Sequence, residues 1–320
     1  MSRPRIPEAV LSAAHDRSKA RAERDWATAD RLRAEIEAAG WTIVDRGTDF
    51  ALSPSTPPDI DEGSRVRYGA PLNVPARFDE PAVGLASVVL VATDWPADVE
   101  RALRALRATS PEGTRIVVVA DAPSEEQEAA LDEVSGDDVE IVWTSERLGY
   151  GAALNIGIRR AGAPIILLMD TSVEPTGDVI TPLVGGLDDP TIAVAGAWGI
   201  TSGDLRTFED APAGDVDAVE GYLLAFRRSD AAERGPLDER FRFYRNLDIW
   251  WSLVLRDEGE GAEPRRAVRV PDIPATRHDH RGWESLPEEE RTRQSKRNFY
   301  RILDRFGPRR DLLVSERARR

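Results

Sequence analysis

The chain has 320 residues, 41% hydrophobic and 31% charged, the balance of a globular protein with room for about two domains. Its formal net charge of -14 argues against a general nucleic-acid surface, because phosphate binding requires clustered positive charge. It contains no cysteine, so disulfides, thiolate metal sites and thiol nucleophiles are excluded, leaving carboxylate, imidazole and hydroxyl chemistry. No apolar run approaches the roughly 18 residues needed to span a bilayer, and Met1 to Arg17 lacks the apolar core of a signal peptide. The expected address is cytoplasmic, with peripheral membrane association left open.

In chain order, Glu8 to Gly40 reads as two helices with a break near Asp25. Trp26, Ala29, Leu32 and Ile36 recur at helical spacing, and Gly40 is a suitable stop. Trp41 to Asp45 and Phe50 to Leu52 suit a small hairpin around Gly47. Ala27-Thr28-Ala29-Asp30-Arg31-Leu32-Arg33, followed by Gly40 and Asp45, resembles the C-terminal helical module of cysteinyl-tRNA synthetases, though none of that enzyme's catalytic part. The resemblance implies a tRNA-associated module; the nearly balanced charges suit a packing or docking hairpin. The expected domains are therefore a hairpin module at 1–52 and a linker at 53–81, which is rich in proline, serine and charge.

Beyond the linker the pattern changes to alternating strands and helices. Val88 to Val91 reads as a buried strand. Asp98 to Arg107 is an amphipathic helix carrying Val99, Leu103 and Leu106, and Ile116 to Val119 is a second strand ending at Asp121-Ala122-Pro123-Ser124. Such alternation implies a mainly parallel, layered sheet. Val139 to Trp143 is the next strand, followed by Arg147-Leu148-Gly149-Tyr150-Gly151-Ala152-Ala153-Leu154-Asn155-Ile156-Gly157. Gly149 and Gly151 permit positive φ and would bring amides near a ligand, and Ala152, Ala153 and Gly157 give a helix thin enough to lie close on a sheet. Ile165 to Met169 is an unbroken apolar strand stopping at Asp170, where open α/β sheets bind ligands.

Arg147 to Gly157 followed by Ile165 to Asp170 resembles the central signature of family 2 glycosyltransferases, of rhamnosyltransferase-like type. Asp215 to Arg228, with Gly221, and Gly235-Pro236-Leu237-Asp238-Glu239 resemble that family's acceptor-side half. The resemblance implies an α/β, GT-A fold: a Rossmann-like, mainly parallel sheet with flanking helices at 82–284, plus the small N-terminal helical hairpin and a C-terminal helix and tail at 285–320. It implies a nucleotide-sugar site in which Asp121, Arg147, Gly149, Asn155, Asp170 and Arg281 contact the donor. The implied acceptor is a carbohydrate or glycolipid, as in cell-wall polysaccharide assembly, and a divalent metal, Mn or Mg, would be held at Asp170 and His280.

The sequence departs from the family at two places. Where an Asp-Xaa-Asp motif is expected it reads Asp170-Thr171-Ser172, and serine brings no charge to a hard cation. Glu174 is the next carboxylate. Where the family has adjacent Glu and Asp it reads Arg245-Asn246, which leaves Asp248 as the candidate catalytic base or, equally, as a carboxylate placed by the dipole of the helix Leu247 to Arg256. His278 and His280 flank Asp279 so that an extended segment would put both rings on one side, beside Arg277 and Arg281. Ser285-Leu286-Pro287-Glu288 reads as a capping box opening a helix with a Phe299, Ile302, Leu303 and Phe306 stripe. The expected function is inverting glycosyl transfer, and the altered motifs motivate a catalytically inactive nucleotide-sugar-binding protein as the alternative.

Overall fold

A computed structural model describes residues 6–46, 49–92, 94–136 and 138–317, and the chain divides into two compact units, Met1–Ala70 and Pro71–Arg320. In the first, α1 (Glu8–Ala22) and α2 (Trp26–Ala38) form the helix pair. Asp25 makes the break, since its carboxylate accepts the Thr28 amide at 3.1 Å as the N-cap of α2. β1 (Trp41–Arg46) and β2 (Asp49–Pro54) pair antiparallel, and Val10, Ala14, Ile36, Trp41 and Ile43 close a small core. Gly47, the expected turn residue, lies outside the described residues. Trp26 departs from its expected place on the apolar face: as the first residue of α2 it points outward, 56% exposed, under the Arg21 guanidinium.

Residues 53–81 are not a uniform linker. β3 (Ile60–Asp61) and β4 (Val66–Tyr68) form an antiparallel ladder, and from Pro71 the chain belongs to the second unit. There Arg77 donates its amide to the Arg159 carbonyl at 2.8 Å, Arg159 donates to the Val74 carbonyl, and Arg228 donates to the carbonyls of Arg77, Phe78 and Glu80. Guanidinium donors satisfy a backbone that no strand pairs, which composition alone cannot signal.

The second unit opens with β5 (Ala86–Ala92), α3 (Pro96–Thr109), β6 (Thr114–Ala120), α4 (Glu125–Val134) and β7 (Val139–Thr144). α5 (Tyr150–Arg160) and β8 (Ile165–Met169) follow. β7, β6, β5 and β8 are parallel neighbours in that order. Gly157 lets α5 lie flat on them, since a Cβ there would stand 2.2 Å from Val89 Cγ1. β9 (Val173–Pro175), α6 (Ile180–Gly185), β10 (Ile192–Gly196), β11 (Gly199–Ser202), β12 (Phe208–Asp210), β13 (Gly214–Val216), β14 (Ala218–Val219) and β15 (Leu223–Arg227) come next. β15 extends the sheet antiparallel to β8 and carries β10 on its other side.

α7 (Arg228–Arg234), α8 (Leu247–Arg256), β16 (Arg266–Arg269), β17 (Ala275–Arg277), α9 (Arg281–Glu284), α10 (Glu288–Phe306) and α11 (Val314–Arg317) follow. β16 pairs parallel with β10 and antiparallel with β13 at the sheet's far side. β17 pairs with β9 and so brings the histidine segment back to the loop after β8. The expected boundary at 285 does not separate a tail. Asn298 of α10 donates to the carbonyls of Phe243 and Arg245 at 2.9 Å, Ile302 and Phe306 are buried, and Arg256 donates to the Leu312 carbonyl. Ser285 is no capping box either: it ends α9, while Pro287 precedes α10 without a side-chain cap.

Candidate active site

Three parallel strands, β5, β6 and β8, deliver their C-terminal ends to one cleft of about 510 Å3, lined among others by Asp94, Asp121, Arg147, Asp170, His280 and Arg281. A cavity of this size is in the range that encloses a nucleotide-sized ligand. The glycine turn after β7 forms one wall, but its amides do not face the cleft as its glycines suggested. Leu148 and Gly149 donate to the Asp121 carboxylate at 2.8 and 3.1 Å, and Tyr150 and Gly151 donate to the Arg242 and Phe241 carbonyls. The glycines serve that close approach: Gly149 sits at φ 99°, and a Cβ on it would stand 2.9 Å from Arg242 Cα.

Asp121 lies at the end of β6 as the strand pattern required. Burial raises its carboxyl above the usual range against the pull of the Leu148 and Gly149 amides, so its work in the fold is to pin the turn. Arg147 is on the rim, half-exposed and paired with Asp94 at 2.8 Å. Arg281 is likewise on the rim, 3.4 Å from Asp98. Asn155 departs from its expected binding role. Its Nδ2 donates to the Leu237 carbonyl and Glu239, its Oδ1 accepts the Leu237 amide at 2.8 Å, and it lines neither cavity. It ties α5 to the 235–239 turn.

Asp170 sits at the centre. Its Oδ1 accepts both the amide and the hydroxyl of Ser172, at 2.8 and 2.6 Å, and its Oδ2 lies 3.2 Å from His280 Nε2. Burial pushes its carboxyl up, yet the His280 and Ser172 hydrogen bonds outweigh this and hold it below the usual carboxylate range. For His280 burial acts downward, and the Asp170 hydrogen bond and charge carry it above the ordinary imidazole value. The ring stacks on Tyr244 with centroids 4.0 Å apart, and its Nδ1 accepts the Trp283 amide at 3.1 Å as the N-cap of α9. His278 meets Glu174, a carboxylate of β9, at 2.7 Å. Among the described residues no group of three or more Asp, Glu or His side chains gathers where one metal ion would fit. Ser172, in the place of a second carboxylate, is instead spent on Asp170.

Behind Asp170 a smaller cavity, about 50 Å3, is lined by Asp248, Glu220, Tyr222 and Trp251, and shares Tyr150, Asp170, Tyr244 and His280 with the cleft. Asp248 stands half-buried there at the first turn of α8. Its Oδ2 accepts the Gly221 amide and its Oδ1 the Ile249 amide, both at 2.9 Å. Burial raises its carboxyl above the usual range, the property wanted of a base near neutral pH. Both readings of Asp248 therefore meet in one residue: it sits in the first helical turn and also lines the cavity. Gly221 is needed beside it, since a Cβ would stand 3.1 Å from that of Asp248.

Sequence reasoning passed over Glu220, Tyr150, Tyr222 and Tyr244. Glu220 is also raised by burial and lies 3.5 Å from Arg277, whose guanidinium covers the Tyr222 ring at 4.4 Å. Glu220 directly precedes Gly221, and Tyr222 directly follows it, so that glycine was the available signal. Trp250 and Trp251 are buried core, Trp250 against Phe241 and Phe306, and Trp251 against Phe226.

Comparison with known proteins agrees with this geometry. Residues 87–243 match the profile of Glycosyl transferase family 2. The chain is 25% identical over 193 residues to the pre-mycofactocin glycosyltransferase of Mycobacterium tuberculosis, which covers 54% of this chain and 39% of that protein. Its structure resembles that of GalNAc-T7, crystallised with UDP, GalNAc and Mn2+, with a TM-score of 0.57 and 17% identity over 69% of this chain and 48% of the other. At that identity the likeness concerns the fold. A different segment, 50 residues or 16% of the chain, is 44% identical to the cysteine–tRNA ligase of Opitutus terrae, covering 11% of that enzyme. The chain thus spans less than half the length of each of these proteins. With Asp121 and Asp170 at the C-terminal ends of β6 and β8 inside the matched segment, and Asp248, His280 and Arg281 beyond it, residues 87–243 are a family 2 glycosyltransferase domain of GT-A fold.

Proposed function

We propose that this domain transfers a sugar, with inversion, from a nucleotide-sugar donor to a hydroxyl of a carbohydrate or glycolipid acceptor. One observation carries the reading: a nucleotide-sized cleft and a small carboxylate-bearing cavity meet at a common wall of Tyr150, Asp170, Tyr244 and His280. The donor's diphosphate lies in the cleft near Arg147, Arg281 and His280, and Asp170 accepts hydroxyls of the donor. The acceptor hydroxyl enters the small cavity, where aromatic rings suit a sugar face. Asp248 removes its proton as the oxygen attacks the anomeric carbon. The bond from that carbon to the diphosphate oxygen breaks, and the departing negative charge meets N–H donors and guanidinium groups.

The second reading, a binding protein without catalysis, draws on Asp248, both of whose oxygens already accept backbone amides. Turnover of a donor panel by the wild-type chain, Asp170→Asn and Asp248→Asn separates the two. Nucleoside diphosphate release that collapses in both variants supports transfer, and an anomeric configuration opposite to the donor's supports inversion. Tight donor binding with no release under any condition supports the binding protein.

A further inference from the structure

We propose that the outward face of α10 binds an anionic lipid surface and so brings the domain to an acceptor carried in that surface. The lipid contact stands on charge and exposure; its use for the acceptor rests on the glycosyl-transfer reading above. Residues 291–310 carry eight basic residues and one acidic, Asp304, although the whole chain has 57 acidic against 43 basic. Elsewhere arginines find carboxylates: Arg17 meets Asp45, Arg107 meets Asp138 and Arg266 meets Asp215. On α10 most do not. Arg297 and Arg301 donate to the neutral side chains of Gln294 and Asn298, Arg305 lies over the Trp250 ring, and Lys296 stands exposed. Among the described residues none of these four forms an ion pair. Arg293, Arg297, Arg301 and Arg305 recur every fourth residue, which sets like charges side by side and disfavours the helix until an anion lies alongside. Burial, and then the Arg297 charge, lower the Arg301 guanidinium below its ordinary pKa.

The inward side of α10 is committed to the fold, since Ile302 and Phe306 are buried. The helix therefore has no apolar side to sink into a bilayer, and its contact with lipid is electrostatic and reversible. Tyr300 stands 61% exposed among the cations, an apolar ring with a polar tip of the kind that collects at membrane–water interfaces. The acidic residues of the helix are Glu288, Glu289 and Glu290 in its first turn and Asp304, so cations prevail from Arg293 onward. The same helix backs the small cavity. Asn298 donates to the Phe243 and Arg245 carbonyls, Asn246 donates to the Ser295 carbonyl at 3.1 Å, and Tyr244, Arg245 and Asn246 line that cavity. A surface held on α10 thus lies next to the acceptor side, where a glycolipid headgroup is wanted; a nucleic acid has no such counterpart there.

The test sediments the full chain with vesicles of phosphatidylcholine alone, and of phosphatidylcholine and phosphatidylglycerol in equal parts. The expected result is partition onto the anionic vesicles and not the neutral ones, falling as salt is raised. Lys296→Gln with Arg297→Gln should weaken partition on the order of thirtyfold, about fivefold per cation. Arg104→Gln with Arg206→Gln removes the same charge from exposed positions elsewhere and should leave partition nearly unchanged. Absence of partition onto the anionic vesicles, or equal weakening in the two double variants, would overturn the proposal. Fluorescence anisotropy showing an RNA oligonucleotide bound where the vesicles are not would give the stripe to nucleic acid instead. Anionic vesicles bound by a chain that turns over no nucleotide sugar would sink the glycosyl-transfer reading and leave the lipid contact standing.

Discussion

The cleft and the small cavity behind it are built differently. The cleft is assembled from consecutive strand ends and a glycine turn, with charged side chains such as Arg147 and Arg281 on its rim. The small cavity is assembled from residues far apart in sequence, Tyr150, Glu220, Asp248 and His280, and its carboxylates Glu220 and Asp248 are half-buried, enough to raise both above the usual range. Exposed charge is screened and adjustable, whereas charge withdrawn from water is held in place and shifted from its ordinary pKa. The first architecture suits holding a charged donor, the second suits moving a proton.

The sharpest way to break this contrast is at Asp248. Replacement by asparagine should lower turnover by roughly 10²–10⁴-fold while donor affinity is kept, measured by nucleoside diphosphate release beside calorimetry. Stability should carry a matching pH signature. A carboxyl whose pKa is raised on folding binds its proton more readily when folded, so it favours the fold at acid pH and works against it once pH passes the raised value. Asparagine keeps only one acceptor for the Gly221 and Ile249 amides, so the signature is the pH dependence of melting, present in the wild type and absent from Asp248→Asn, and not the melting point itself. By the same sign, the acid limb of the wild-type activity profile should lie above the ordinary carboxylate range, and that limb should vanish from any residual activity of Asp248→Asn.

His280→Ala removes the donor at the shared wall and should lower turnover by roughly 10²–10³-fold, with His280→Gln recovering part of it. A smaller loss in turnover, with donor binding unchanged, would place the leaving-group charge elsewhere. Gly149→Ala acts on the cleft wall through the backbone, forcing a side chain into φ 99° beside Arg242. The expected cost is about 1–3 kcal/mol of stability, read by chemical denaturation, with weakened donor binding. Arg147→Ala on the rim should have the smallest effect, a several-fold rise in donor KM that fades as salt is raised.

The same contrast sets how far the sequence could be read. Local signals located β5, β6, β7, α5 and β8, because each is a continuous apolar or small-residue run whose period reports its burial. They also placed Asp121 and Asp170 at strand ends. They could not assign the hydrogen bonds of those residues. Asn155 and the turn amides look like ligand contacts in one dimension, and only the return of residues 237–242 to α5 shows that they are taken. Gly221 flags Glu220 and Tyr222 beside it, but Tyr150 and Tyr244 lie in segments that share no pattern with that one, so nothing in the sequence marks the four as neighbours. Residues 71–81 escaped for the same reason: their partners, Arg159 and Arg228, lie far along the chain.

The most direct measurement of the central claim is nucleoside diphosphate release from a panel of nucleotide sugars with an acceptor mixture, run on wild type and Asp248→Asn with donor binding measured in both. The account predicts release by the wild-type chain from at least one donor, and an Asp248→Asn chain that binds that donor equally well but releases almost nothing. Release undiminished by Asp248→Asn, or a chain that neither binds nor turns over any donor, would contradict it.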